Sequence, residues 1–405
     1  MSDPAIPPSV PSGIPEPTPP VVDTRRSDLT DGVNRCPRCG STDIVLRPST
    51  GMLFCNFCRF EWSEANAVEA FGLDTPIDQL RGTTIASGAK DIEPSASDVI
   101  TLKCQACGAE VVIDTAHSMH ARCHWCRHTL TINDQIPNGA VPDAVLPFRM
   151  THDEAVERIR AFAGKRRMFA LGRFKKEFSP ENVVGVYLPY MIVDGNVSSD
   201  VAGYGEILTR RYTRRVGDND VTYYDADVYD VRRHVDFTVD DLTIESSAER
   251  ANLDTRVNTN NVINAILPFD TKDAVRWNAD YLIGFTSEKR DTDVASLHPE
   301  LEDQLMSIGR AQVEASVSGY DRGIRWEQEQ LDVKGTRWVS MYLPVWLYSY
   351  YQEEKQLLHY VAVNARTGET MGSVPVQTWK LLLVSLATGT VIEGAVLAFL
   401  GALLW

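Results

Sequence analysis

Eight cysteines constrain this chain more than any other feature, because they form four Cys-x-x-Cys pairs and all lie before residue 127 of the 405. In each half of this set, fifteen residues separate one pair from the next. A Cys-x-x-Cys turn holds two thiolates on one side of a metal ion, and a hairpin of this length brings the second pair to the other side. The sequence therefore predicts two zinc ribbons, in which residues 43–47 with 52–55, and 110–114 with 120–123, form small hairpins. Their ligands are Cys36, Cys39, Cys55 and Cys58 in the first, and Cys104, Cys107, Cys123 and Cys126 in the second.

Four thiolates fill the coordination shell of zinc, so both Zn²⁺ ions are predicted to be structural, with no open position for a substrate. An iron–sulfur or rubredoxin-like iron centre also uses four thiolates and is the alternative for each unit. The second unit contains histidines as well, and we interpret them as surface residues rather than as further metal ligands. They are His117, His120, His124 and His128.

The net charge of −15 argues against nucleic-acid binding by the whole surface, since phosphate binding needs a positive footprint. Local basic faces remain. The most basic stretch, residues 158–176, has eight basic side chains and no acidic one, and it predicts contact with an anionic surface, either nucleic acid or lipid headgroups. A solvated helix end is the alternative. The eight side chains are Arg158, Arg160, Lys165, Arg166, Arg167, Arg173, Lys175 and Lys176.

No catalytic motif occurs in the chain: there is no Walker A loop, G-x-S-x-G, H-E-x-x-H or G-x-G-x-x-G. The aspartates of residues 218–241 alternate with strand-forming residues, which is typical of the exposed side of strands. A divalent-cation site at these aspartates is the alternative. Because no catalytic motif is present, the sequence predicts a protein that is not an enzyme.

The rest of the chain predicts an α+β body of antiparallel strands with a few helices. Helical periodicity occurs at residues 151–163, with Thr151 as the cap, and at 293–317, among several strand-like runs. A short helix between the ribbons is predicted to begin at its cap Ser63 and to stop at Gly72. Tyr187-Leu188-Pro189 is repeated as Tyr342-Leu343-Pro344, which indicates an internal duplication. The predicted units are a disordered Pro-rich tail (1–32), ribbon 1 (33–62), a short helix and linker (63–99), ribbon 2 (100–133), the two halves of the body (134–263 and 264–378) and a C-terminal transmembrane helix (379–405).

The C-terminal segment, Leu381–Trp405, is 25 residues long and has Glu393 as its only charge. At a rise of about 1.5 Å per residue it reaches ~37 Å, which is enough to cross a bilayer. Lys380 and the reducing environment that free thiols need predict a single-pass protein of the cell membrane with its N-terminal bulk in the cytoplasm. A buried C-terminal helix is the alternative. Small residues at four-residue spacing predict close approach of two such helices in a homo-oligomer: Gly394, Ala398 and Ala402.

Short motifs in a fixed order resemble a known group of proteins. The chain resembles uncharacterised bacterial zinc-ribbon proteins, often labelled transcription-factor-IIB-type or loosely compared with the zinc region of the primosomal helicase. The resemblance covers roughly residues 100–380 and implies zinc without an established activity. No helicase motif is present, so the helicase label is not carried over. The motifs are Cys104-Gln-Ala-Cys107-Gly108, Cys123-His-Trp-Cys126, Leu146-Pro147-Phe148, Tyr187-Leu188-Pro189, Tyr281-Leu282-Ile283-Gly284-Phe285, Tyr342-Leu343-Pro344 and Val363-Asn364-Ala365-Arg366-Thr367-Gly368.

Together these features predict a tail-anchored cytoplasmic adaptor or scaffold that acts at the membrane through contacts with an unknown protein partner. Its two zinc ribbons are predicted to be mobile units on a flexible stalk. The competing prediction is a membrane-tethered nucleic-acid binder. It would use the arginines of ribbon 1, which are interleaved with aromatic residues, and the basic stretch 158–176.

Overall fold

The computed structural model describes residues 34–93, 96, 99–103, 110–115, 118–122, 129–132, 138–166, 170–217, 219–247, 266–352, 354 and 357–403. The predicted Pro-rich tail lies outside these residues. The four cysteines of the second ribbon lie outside them as well.

Five helices and sixteen strands are formed by the described residues. The helices are α1 (Ala67–Phe71), α2 (His152–Lys165), α3 (Gly172–Glu177), α4 (Val294–Ser316) and α5 (Thr378–Leu403). The strands are β1 (Ile44–Arg47), β2 (Met52–Cys55), β3 (Glu61–Trp62), β4 (Gly82–Ile85), β5 (Val99–Lys103), β6 (Glu110–Asp114), β7 (His120–Arg122), β8 (Thr129–Thr131), β9 (Ala144–Val145), β10 (Val183–Val216), β11 (Asn219–Glu245), β12 (Val275–Arg276), β13 (Thr286–Ser287), β14 (Ile324–Gln352), β15 (Leu357–Asn364) and β16 (Thr370–Gly372).

The body is a mostly β structure with few helices, so the predicted α+β class is wrong. Its main sheet has the order β11-β10-β14-β15-β16, and the first three strands are 27, 34 and 29 residues long. The sequence predicts shorter strands than these, because bulges and glycines interrupt the alternation of side chains along each strand. A Cβ at Gly203 would lie 2.2 Å from the carbonyl oxygen of Arg325, and one at Gly205 would lie 2.4 Å from the ring of Tyr320. Each glycine therefore permits close packing by a neighbour instead of ending the strand.

The two Tyr-Leu-Pro motifs pair with each other in the main sheet. Leu188 lies opposite Leu343, and each tyrosine lies opposite the proline of the other motif. Pro189 immediately precedes Tyr190, the first residue of β10 that pairs with β11. Pro344 immediately precedes Val345, the first residue of β14 that pairs with β15. The missing N–H of proline therefore interrupts no outer ladder.

Several local predictions are confirmed and others are wrong. Helix α2 begins with the predicted cap Thr151, which forms a capping box with Glu154. Helix α1 ends at the predicted Gly72, but its cap is Asn66 and not Ser63. The strands β6 and β7, predicted to form one hairpin, pair instead with β5 and β8.

The β10–β11 hairpin extends beyond the rest of the sheet. The pairing of β14 with β10 ends where Ile324 lies opposite Gly205, whereas β10 and β11 continue to pair up to Val216 and Asn219. We call residues 206–230 the arm; its last two residues, Tyr229 and Asp230, lie at its base opposite Gly205 and Tyr204. Nearly all of its described side chains are exposed.

The predicted transmembrane helix is not supported, and the prediction of a single-pass protein of the cell membrane is therefore wrong. Residues 378–403 do form helix α5. Within the described part of the chain, however, no helix combines the length and the apolar character that a bilayer crossing needs. The apolar sequence of helix α5 is interrupted by Ser385, Thr388, Thr390 and the exposed Glu393. The two threonine hydroxyls donate to carbonyl oxygens of their own helix. The described side chains end before the predicted contact face at 394–402.

A buried ion pair joins the two central strands of the main sheet. Arg337 on β14 lies directly opposite Asp194 on β10, and its Nε and Nη2 donate to Asp194 Oδ2 at 2.9 and 2.6 Å. The same guanidinium donates to the carbonyl oxygens of Gly72 and Leu73 at the end of α1. Both side chains are less than one tenth exposed. Arg337 therefore ties the segment after ribbon 1 to the centre of the sheet.

We expect Arg337→Met to lower the free energy of unfolding by about 3–5 kcal/mol, because the carboxylate of Asp194 would stay buried without its partner. The double variant Asp194→Asn with Arg337→Met should recover part of this loss. Urea unfolding followed by circular dichroism measures both. The control is Arg325→Met, which removes an ion pair with Glu327 that is largely exposed and should cost less than about 1 kcal/mol. Equal losses for the two single variants would contradict the role given to Arg337.

Candidate metal centre

The four cysteines of ribbon 1 converge, as their spacing predicts. Their sulfur atoms all lie within 4.8 Å of one another. The Sγ atoms of Cys36 and Cys58 are 3.6 Å apart, and so are those of Cys39 and Cys55. A tetrahedron with metal–sulfur bonds of about 2.3 Å has edges of about 3.8 Å, whereas a disulfide would need about 2.05 Å. The cluster therefore has the shape of a four-thiolate metal site and not of two disulfides.

The two Cys-x-x-Cys turns have the same backbone geometry. In each, the residue after the second cysteine donates its N–H to the carbonyl oxygen of the first, from Gly40 to Cys36 at 2.9 Å and from Arg59 to Cys55 at 3.0 Å. Both residues have positive φ, 74° for Gly40 and 62° for Arg59. The glycine marks its turn in the sequence, because this region favours glycine. The arginine does not, so sequence reasoning missed the equivalence of the two turns.

The ribbon positions its cysteines with a small antiparallel sheet in the order β1-β2-β3. Each strand of this sheet contributes a buried side chain: Ile44 from β1, Leu53 from β2 and Trp62 from β3. These side chains belong to the same apolar cluster as Trp277 and Tyr281 of the body. The ribbon is therefore packed on the body, although the sequence predicted a mobile unit on a flexible stalk.

The thiols of the cluster differ in acidity when no metal is considered. Burial raises the pKa of Cys36 to about 12. Burial also opposes ionisation of Cys55, but the backbone amides of Cys58 and Phe57 and neighbouring thiols outweigh it and lower the pKa of Cys55 to about 7. Thiolates are the metal-binding form, so a metal ion at this site displaces protons, most of all from the buried Cys36.

A buried polar network connects the ribbon to the body. Asn34 donates to the side-chain oxygen of Asn278 at 3.0 Å, and Asn278 donates to Glu64 Oε1 at 2.9 Å. Asp280 lies beside them and is 3% exposed. Its burial, with the nearby charge of Glu64, raises the pKa of Asp280 to about 7 although Asn34 hydrogen-bonds to it. The sequence did not indicate this network, because its members come from segments more than 200 residues apart.

The second predicted metal site cannot be located from the described residues, because 104–109 and 123–128 lie outside them. The flanking strands are described. Residues 104–109 connect β5 to β6, and residues 123–128 connect β7 to β8. Of the four predicted surface histidines, only His120 is described, and burial lowers its pKa.

The basic stretch 158–176 is partly used within the chain itself. Arg158 donates to the carbonyl oxygen of Gly368 at 3.3 Å, and Arg166 lies over the ring of Phe162 at 3.7 Å. Arg173 pairs with a glutamate one turn later in α3 at 2.6 Å. Arg160 lies 5.6 Å from the ring of Phe178, and Lys165 and Lys176 are exposed. Arg167 and the side chain of Lys175 are not among the residues and side chains that the structure describes.

Two of the aspartates of 218–241 form a close group with a residue of β10. Carboxylate oxygens of Asp194, Asp240 and Asp241 lie within 4.8 Å of one another. The guanidinium of Arg337 already neutralises Asp194, and Asp194 accepts the backbone N–H of Asp241 at 3.0 Å. Burial and neighbouring acidic groups raise the pKa values of Asp240 and Asp241. These contacts give the group a structural explanation without a cation.

Comparisons with known proteins add no function. No family model matches the chain, and no solved structure matches it. The chain is similar to the protein named "Uncharacterized protein YdjG" of Bacillus subtilis (strain 168), with 24% identity over 347 residues that cover 86% of this chain and 91% of that protein. At this identity the comparison assigns no family, so the resemblance to bacterial zinc-ribbon proteins stays a prediction.

We expect the stability of the protein to fall as the pH rises from about 4 to about 7, because folded Asp280 keeps a proton that the unfolded chain releases. This group contributes at most about 1.4 kcal/mol per pH unit. Asp280→Asn should remove the contribution. Urea unfolding across this pH range measures the free energy of unfolding of this variant and of the exposed control Asp74→Asn. Both variants share the pH dependence of metal binding, so the difference between their pH profiles is the contribution of Asp280. Parallel pH profiles for the two variants would contradict the prediction.

Proposed function

We propose that the chain is a non-catalytic adaptor, held in shape by two structural Zn²⁺ ions, that acts through contacts with another protein. The observation that carries this proposal is the four-cysteine cluster of ribbon 1. Its four sulfur atoms have the spacing of a complete tetrahedral shell, which leaves a bound zinc ion no position for a substrate or an activated water. Zinc therefore shapes the surface around it and takes no part in a reaction.

The proposal of a second zinc ion rests on the strands on either side of residues 104–109 and 123–128. In ribbon 1, the pair Cys55 and Cys58 lies where β2 leads into β3. The corresponding segments of the second unit also connect short antiparallel strands, β5 to β6 and β7 to β8. Side chains of these strands, including Ile113 and Leu130, pack in the same apolar cluster as ribbon 1. This arrangement supports a second structural unit next to the first.

Metal analysis of the purified full-length chain should give about two zinc ions per molecule, one for each set of four cysteines. The double variants Cys55→Ser with Cys58→Ser, and Cys123→Ser with Cys126→Ser, should each retain about one. Mass spectrometry of the metal content, with protein concentration from absorbance, makes the measurement. Iron in place of zinc would overturn the structural-zinc proposal, and so would a variant that keeps the wild-type metal content.

Protein contact is supported by an exposed aromatic side chain on the metal knuckle. Phe57 lies between Cys55 and Cys58 and is 78% exposed, whereas Phe54 and Trp62 of the same ribbon are buried. A rigid, exposed aromatic side chain is typical of the anchors that fill pockets on a partner. The knuckle therefore offers one preformed contact point.

Nucleic-acid binding is the second candidate, and the exposed Phe57 also favours it, because Arg59 and Arg38 are exposed on the two knuckles. Base stacking on an aromatic ring beside arginines is a common mode of single-strand recognition. A third ribbon arginine, Arg47, is already paired with Glu61 and lies over the ring of Phe54. The internal contacts of the 158–176 stretch reduce the available positive surface further.

The two candidates are separated by one variant in two assays. In cells that naturally contain the protein, tagged full-length chain should capture the same partner as wild type when it carries Val184→Ala, a control at another exposed apolar residue, but not when it carries Phe57→Ala. In vitro, single-stranded oligonucleotides should not bind at low salt. Binding that weakens steeply with salt and needs Phe57 would replace the adaptor proposal with the nucleic-acid one. Capture that is indifferent to Phe57 would remove the knuckle as the contact.

A further inference from the structure

The arm receives little support from the rest of the molecule. Near its base, Leu208 donates its N–H to Asp321 Oδ1 at 2.7 Å, and Glu206 bonds to the backbone of residues 322 and 323. Among the described residues, the outermost contact with the body is made by Arg322, which lies over the ring of Tyr224 at 3.7 Å. Beyond Arg211, which lies opposite Tyr224, the described strand residues of the arm pair only with each other. The five residues 212–216 at about 3.3 Å each extend roughly 16 Å. A hairpin of two strands is at best marginally stable in water, so this length of it calls for a partner surface.

Large apolar side chains are exposed along the arm. Tyr212 and Tyr223 stack across its two strands with ring centroids 5.9 Å apart, and Arg210 and Arg214 lie 5.4 and 5.2 Å from the ring of Tyr212. Exposed apolar surface of this extent marks an interaction site more often than free surface. The most exposed side chains are Leu208, Val216, Val221, Tyr223, Tyr224, Val228 and Tyr229, each 36% exposed or more.

The two strands of the arm carry opposite charge. The β10 strand has four arginines and one glutamate, and the β11 strand has four aspartates and no basic residue: Arg210, Arg211, Arg214, Arg215 and Glu206 on the first, and Asp220, Asp225, Asp227 and Asp230 on the second. Only two arginine–aspartate pairs face each other across the hairpin, at 210 with 225 and at 215 with 220. The other five charges lie opposite uncharged residues.

Beyond the contacts at its base, both edges of the arm are open to another strand. Within the described residues, β11 pairs with β10 alone, and β10 has no second neighbour beyond the end of β14. Open edges are templates for the addition of a strand. In the arm, one open edge is basic and the other is acidic.

We propose that the arm joins copies of this chain head to tail, with the basic β10 edge of one copy paired to the acidic β11 edge of the next. Pairing like edges across a two-fold axis would place arginines against arginines or aspartates against aspartates, which disfavours a symmetric dimer. Pairing unlike edges satisfies the charges of Arg211, Arg214, Asp227 and Asp230, which have no opposite charge across the hairpin. Such a contact is heterologous, so it propagates into a ring or a chain of copies. The acidic strand also disfavours nucleic acid as the occupant, because phosphates would meet its four aspartates.

Sedimentation velocity of the full-length chain over a range of concentrations tests the proposal. Wild type should form a ladder of assemblies that grows with concentration and shrinks as salt rises. Arg211→Glu with Arg214→Glu should be monomeric, and so should Asp227→Lys with Asp230→Lys. A mixture of the two variants in equal amounts should assemble again, because each supplies the charge that the other has lost. These four positions leave the two matched pairs of the hairpin intact, so circular dichroism should match that of wild type.

The matched control is Glu302→Lys with Glu314→Lys on α4, which changes the net charge by the same amount at exposed sites away from the arm and should assemble like wild type. A wild-type chain that stays monomeric at every concentration would overturn the proposal. So would variants that assemble as wild type does, a mixture that fails to assemble, or oligonucleotide binding that needs Arg211 and Arg214. The zinc content and the Phe57 contact are measured separately, so neither outcome here decides the proposed function.

Discussion

The register of the central ladder depends on one buried ion pair. Asp194 and Arg337 face each other across β10 and β14, and a slip by one residue would move every side chain of these strands to the opposite face of the sheet. A buried pair of charges contributes little net stability compared with apolar residues, but it makes the wrong pairing costly, because a misaligned strand would bury each charge alone. This pair also binds the end of α1, so the segment that follows ribbon 1 is placed by the same contact that aligns the sheet.

The metal centre and the body form one packed unit. Buried residues of β1, β2 and β3 share an apolar cluster with Trp277 and Tyr281, and the network around Asn278 closes the polar part of the same contact. The location of the ribbon is therefore determined by the body, and the exposed knuckle residue Phe57 is presented in a defined direction. A binding surface that needs little ordering loses less entropy on association than a tethered, mobile one.

The sequence predicts the metal centre well because its information is local. Four cysteines at two turn spacings specify a tetrahedral cluster, and Gly40 marks one of the turns. The left-handed conformation of Arg59 could not be predicted, because arginine as a residue type does not favour positive φ. The long strands are hidden for another reason: bulges near residues 193 and 208 shift the alternation of side chains, and the pairing partners are more than a hundred residues away for β10 and β14. Helices α2 and α4 are predicted correctly because periodicity and capping are local. The C-terminal segment shows the limit of this kind of reasoning, because the helix is present but its apolar length does not make it a membrane span.

The shared core of ribbon 1 and the body has a thermodynamic consequence. A metal ion that binds only the folded ribbon adds its binding free energy to the folded state, and that energy is not confined to the ribbon when the same apolar cluster continues into the body. Residues around Trp277 and Tyr281, far from any thiol in sequence, are then stabilised by the bound metal ion, and the gain rises with the logarithm of its free concentration once the site is nearly saturated. The folded fraction of the whole molecule then depends on the free concentration of the metal ion that the cysteines of ribbon 1 bind.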